Sequence, residues 1–157
     1  MPKFRRSVLS NQSIWAAYAN AALKKSDTIH IVWSPSPASY RSYGVSIVYL
    51  TGVSATAQPE ATAENNAYMR STAVSVPGTT LEGHAIIIGA MLANDFTWKI
   101  GPGWTIYDHQ AVNIQYDWFY KITGLPGRED PGGVGAPANS YSAVWAAFSS
   151  AMPRSNR

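Results

Sequence analysis

Apolar and polar residues alternate with a period of two along most of this chain, and the alternating runs are short. Thr28-Ile29-His30-Ile31-Val32-Trp33 places Ile29, Ile31 and Trp33 on one face and stops at Ser34-Pro35-Ser36-Pro37. A second run, Gly44-Val45-Ser46-Ile47-Val48-Tyr49-Leu50, closes at Thr51-Gly52, and a third, from Arg70 to Val76, ends in Pro77-Gly78. His84 to Leu92 is the most apolar run. Its Ile86-Ile87-Ile88 triplet predicts a buried central strand, because β-branched side chains suit a pleat better than a helix.

The second half continues in the same way. Gly101-Pro102-Gly103 marks a sharp turn before Trp104-Thr105-Ile106-Tyr107, and Ile114, Tyr116, Trp118 and Tyr120 alternate to give one inward aromatic face. The last strand is predicted from Ser140 to Phe148, with Tyr141, Ala143, Trp145 and Ala147 on one side. Near the front, residues 14–22 read as a strand or a short Ala-rich helix, with the strand preferred. Two stretches read as loops. Residues 54–67, rich in Ala, Thr, Glu and Asn, read as a long surface loop. Residues 124–139 hold three of the ten prolines and five of the twelve glycines, with Arg128, Glu129 and Asp130 at the tip, and predict an exposed, mobile loop.

About eight strands with no helix between them predict an all-β fold, an antiparallel β-sandwich of jelly-roll type. The expected organisation is a basic N-terminal arm over residues 1–13, one sandwich domain over 14–153 and a tail over 154–157. A chain of 157 residues suffices for one domain burying roughly two thirds of its unfolded surface. Charged residues make up only 13% of the chain and apolar residues 46%, the reverse of a disordered composition.

The formal charge of +3 equals the contribution of Lys3, Arg5 and Arg6 alone, so no broad basic face for nucleic acid is expected. The same three residues form a candidate docking arm. They also precede a partly apolar stretch ending in Ala19-Asn20-Ala21 that imitates a signal peptide, although Ser10-Asn11-Gln12-Ser13 interrupts it. No stretch reaches the ~20 apolar residues of a membrane helix.

The absence of cysteine excludes thiolate chemistry, disulfides and thiolate metal sites. No Gly-x-Ser-x-Gly elbow is present, and His109 beside Asp108 reads as composition, so no catalytic residue is assigned and the chain is expected to be no enzyme. His30, His84 and His109 are scattered, so no metal or other cofactor is expected; Asp95, Asp108 and Asp117 are the carboxylates best placed to approach one another around calcium. Nothing marks a pair of acids for glycoside hydrolysis. Gly132-Gly133-Val134-Gly135 lacks the Lys-Ser/Thr of a phosphate loop. Trp98, Trp104 and Tyr107 around the Gly101-Pro102-Gly103 turn, with Tyr40 and Tyr43 flanking Arg41, are the candidate contacts to a protein partner or a glycan.

Taken in order, Ile31-Val32-Trp33-Ser34, the run from Val45 to Val53, Gly103-Trp104-Thr105 and Ala143-Val144-Trp145-Ala146-Ala147-Phe148 resemble a group of β-sandwich domains found in bacteriophage virion and tail proteins and in bacterial surface proteins. The resemblance covers roughly residues 28–153. It implies a virion module used for decoration or tail attachment, with copies of itself and other virion proteins as partners. An extracellular glycan-binding or adhesion module and a small-virus jelly-roll coat protein are the alternatives. Such domains often carry further strands at the front, where this chain has a short basic arm; a neighbouring subunit can supply such a strand by edge pairing.

Overall fold

The computed structural model describes residues 3–9, 12–17, 24–30, 45–53, 59–94, 96–112 and 114–151. All regular elements among them are β-strands: β1 (Lys3–Leu9), β2 (Gln12–Ala17), β3 (Ala61–Val74), β4 (Thr80–Leu81), β5 (Ala85–Ala93), β6 (Thr97–Ile100), β7 (Thr105–Val112), β8 (Ile114–Thr123), β9 (Gly127–Arg128) and β10 (Gly133–Ser149). Every paired neighbour runs antiparallel.

The pairing is nested. β3 pairs with β10, β4 with β9 and β5 with β8, so strands equally far in sequence from Trp104 meet. A long antiparallel hairpin rolled up on itself gives this pattern, which defines a jelly roll. The fold is an all-β antiparallel sandwich. Its main sheet has the order β3-β10-β5-β8-β7, with β6 beside the start of β10. β6 follows β5 after only three residues, so both track the same long partner: β5 lies along Tyr141 to Ser149 and β6 along Gly133 to Ala136. Across the interruption, the Asn139 side chain donates from Nδ2 to the Asn94 carbonyl and satisfies an acceptor that the ladder misses.

Residues 141–148 of β10 are all buried, which a central strand covered on both faces requires. Tyr141, Ala143, Trp145 and Ala147 join the largest core cluster, as their alternation predicts, together with Leu81 of β4, Trp98 of β6, Met91 and Phe119. The opposite face holds Val144 with Leu92, and Ala146 and Phe148 with Leu50, Val53, Ile86 and Ile88. The β1–β2 hairpin lies across β3 and β10.

Trp145 organises the larger core. Its cross-strand neighbours are Ala63 on β3 and Gly89 on β5, and the Phe119 ring fills the space beside Gly89, where a methyl group would sit 2.5 Å from its Cζ. Burying an indole removes on the order of 200 Å² from water, worth roughly 5 kcal/mol before entropic costs.

Several elements differ from the sequence reading. The stretch 54–67 is no continuous loop: from Ala61 it is β3, an edge strand buried at Ala61, Ala63 and Val74, with Ala63 opposite Trp145. The 124–139 stretch contains β9 and the first half of β10, with Glu129 and Pro131 buried. Two of its glycines are required by the fold. A methyl group at Gly135 would sit 1.6 Å from Cζ of Phe96, and Gly133 has φ of 126°, which a side chain rarely tolerates. Residues 28–30 and 45–50 belong to no strand and are mostly exposed, Ile29 included, whereas 31–44 lie outside the described residues. Lys3, Arg5 and Arg6 sit within β1, paired to β2, and thus in a hairpin rather than a loose arm.

Candidate functional site

Trp98 and Trp104 are core residues, 5% and 8% exposed, and their rings cannot meet a ligand. Both stand edge-on to Phe119, at 5.3 Å and 5.6 Å between centroids. The Gly101-Pro102-Gly103 turn directs the chain inward on both sides, so nearness to an exposed turn does not make these rings exposed. Lys121 covers the Trp104 ring at 5.6 Å and pairs with Glu129 at 2.7 Å, which places a cation over the indole face and a carboxylate behind it. Tyr107 is the exposed member of the set. It lies on β7 against Tyr120, at 6.1 Å. Partial burial raises its pKa; a hydrogen bond from Ser46 lowers it in part, and the Asp108 carboxylate raises it again. Tyr40 and Tyr43 lie outside the described residues.

The β7–β8 ladder sets His109 opposite Asp117. The Asp117 side chain is 1% exposed, and its two oxygens are each 2.6 Å from a donor, Nδ1 of His109 and Nε2 of Gln115. With the Nδ1 proton committed to the carboxylate, the half-exposed imidazole turns Nε2 outward. The pair ties edge strand β7 to β8; among the described residues no Ser or Thr hydroxyl bonds the imidazole.

The sequence reading set His109 beside Asp108 and did not find this pair. The tight β7–β8 turn carries the missing signal, since register around residue 113 puts 109 directly across from 117. Asp95 lies outside the described residues, and among those described no three His, Asp or Glu side chains gather as metal ligands.

At the opposite end of the sheet, a shallow pocket of about 610 Å³ is lined by Thr62, Glu64, Gly78, Thr79, Thr80 and Arg128, among others. Arg128 is held by donating from Nε to the Gly78 carbonyl at 3.3 Å. The pocket is polar and lacks an aromatic platform, so it offers hydroxyls and a guanidinium instead of a stacking surface.

The most distinctive surface is a ribbon over residues 45–53. Leu50 and Val53 pack against the Ala146 and Phe148 cluster, and Val53 bridges Ser150. Before these anchors Ile47 and Tyr49 are 59% and 64% exposed, and Val45 and Val48 are exposed as well. Such an exposed apolar row is a candidate contact surface, because its solvent exposure stabilises nothing in the monomer.

No protein-family model, curated protein or solved structure matches this chain.

Proposed function

We propose that this protein is a non-enzymatic structural component of a virion, a capsid decoration or tail-associated module that acts by assembling with copies of itself and with other virion proteins. One observation carries the reading: Val45, Ile47, Val48 and Tyr49 are 42%, 59%, 38% and 64% exposed in one short stretch, an apolar row that contact with a neighbouring subunit would take out of water, and such contacts are what a shell or tail subunit needs. The rolled, nested sandwich suits such a role, as it does that of a small-virus coat protein, because it presents edges and end loops on a rigid core. The modest charge of +3 suits protein contacts better than genome binding.

Sedimentation velocity of the full chain over a wide concentration range tests this reading. A discrete assembly is expected; a single monomeric species throughout contradicts it. A secreted glycan-binding module is the second reading, favoured by the hydroxyl and guanidinium lining of the Arg128 pocket. It predicts retention on immobilised acidic glycans that Arg128→Ala abolishes.

A further inference from the structure

We propose that the pocket beside Arg128 recognises the carboxylate of an acidic sugar, the guanidinium taking the carboxylate and the flanking side chains taking the sugar hydroxyls. This inference rests on the glycan-binding reading above and names the group that the pocket reads.

The register of β4 and β9 builds the site. Thr80 pairs with Arg128 and Leu81 with Gly127, so the Thr80 hydroxyl and the Arg128 guanidinium leave the two strands on one face. Both residues are exposed, whereas Leu81 points the other way and is fully buried, which fixes the face that turns outward. The Gly78 amide donates to the Glu129 carbonyl at 3.1 Å and extends the contact between the two segments. Gly78 itself lies against the Trp145 ring, so this wall of the pocket is seated on the core.

Arg128 is prepared for a planar anion. Its Nε donates to the Gly78 carbonyl at 3.3 Å, which steadies the guanidinium at one edge and leaves the Nη groups for a ligand. The neighbouring carboxylate of Glu129 is buried and paired with Lys121 at 2.7 Å, so it does not serve Arg128.

The rest of the lining selects the class of ligand. Thr62, Thr79 and Thr80 bring hydroxyls, and Glu64 brings a carboxylate from β3. With one cation and one anion, the lining carries no net charge, which disfavours sulfated polyanions, whose sites gather several Lys and Arg. A sugar with a single carboxylate suits it. Its charge answers Arg128, and its hydroxyls donate to Glu64 and exchange hydrogen bonds with the threonines. The volume of about 610 Å³ is that of a small-ligand site.

Titration of the isotope-labelled full chain with sodium glucuronate, glucose, glucose sulfate and sodium acetate, followed by NMR at the amides of Thr79, Thr80 and Arg128, tests the site. Glucuronate is expected to saturate these shifts with a Kd on the order of 1 mM, and the other three to bind roughly tenfold more weakly or worse. Arg128→Ala should abolish the response. Arg128→Lys, which keeps the charge without the fork, should weaken it roughly tenfold, and Thr80→Val, which keeps the β-branched shape, roughly two- to tenfold. Unchanged melting temperatures show that the fold is intact.

Glucose or glucose sulfate binding as tightly as glucuronate overturns carboxylate recognition and leaves the glycan-binding reading standing. Acetate binding as tightly overturns the sugar as ligand and leaves a bare anion site. A glucuronate response that Arg128→Ala leaves intact overturns the assignment to this pocket. No response to any of the sugars overturns the inference and the glycan-binding reading together.

Discussion

The indole of Trp145 donates from Nε1 to the carbonyl oxygen of Val76 at 2.7 Å, and its ring fills the space that Gly78 leaves by having no side chain. A methyl group at Gly78 would sit 1.9 Å from Cζ2 of the indole. Strand β10 is thereby joined to the segment between β3 and β4 by a buried hydrogen bond and by a close fit.

Gly78→Ala should therefore destabilise the protein by roughly 1–3 kcal/mol, the usual cost of overpacking, lowering the melting temperature by about 2–4 °C per kcal/mol. Trp145→Phe removes the donor and the outer ring and should cost roughly 2–4 kcal/mol. The double variant should lose less than the sum of the two, because phenylalanine vacates the space that the methyl introduced by Gly78→Ala needs. Thermal melts of the three variants check this; strict additivity would mean that the ring and Gly78 are not coupled.

Glycines in the 124–139 stretch should divide by packing. Gly135→Ala drives a methyl into the Phe96 ring and should be strongly destabilising, whereas a methyl at Gly124 meets nothing within 4 Å. Gly124→Ala should be neutral or gain up to about 1 kcal/mol through the unfolded state. Urea denaturation separates the two; equal effects would imply that the whole stretch is a loose loop.

His109 should hold its Nδ1 proton toward the Asp117 carboxylate, visible in the nitrogen shifts of its ring. Asp117→Ala should shift the ring toward the ordinary mixture of tautomers. His109→Ala should cost roughly 1–3 kcal/mol, because the buried Asp117 carboxylate keeps only Gln115 as a donor. An unchanged tautomer in Asp117→Ala would mean that another group orients the imidazole.

Tyr107 links the ribbon to alkaline stability. Its pKa in the folded protein is raised above the ordinary 10.0, chiefly by burial. Folding therefore favours the neutral phenol, and the contribution is complete below pH 10 and lost as pH rises through the higher folded value. Melting temperatures between about pH 8 and 11 should fall more steeply for wild type than for Tyr107→Phe; parallel curves would show that Tyr107 ionises as freely in the folded state as in the unfolded chain.

The central strands were legible because their own residues carry the alternation. Ile86-Ile87-Ile88 marks β5, and Tyr141, Ala143, Trp145 and Ala147 mark the core face of β10. Of β3 only the end from Arg70 was legible, within the predicted 70–76 strand; its first part was not, because Ala63 answers a tryptophan far along the chain on β10, and no local pattern encodes that partner. The Gly135–Phe96 fit is hidden in the same way, so close packing there imitates a flexible loop. The His109–Asp117 pair depends on hairpin register. For Trp98 and Trp104, core packing is the reading the sequence favours for any single ring, and both are buried.

The native mass of the full chain, measured by light scattering from low micromolar concentration upward, tests the central claim most directly. A stable mass of two or more chains is predicted; a mass of 17.0 kDa at every concentration would contradict the account.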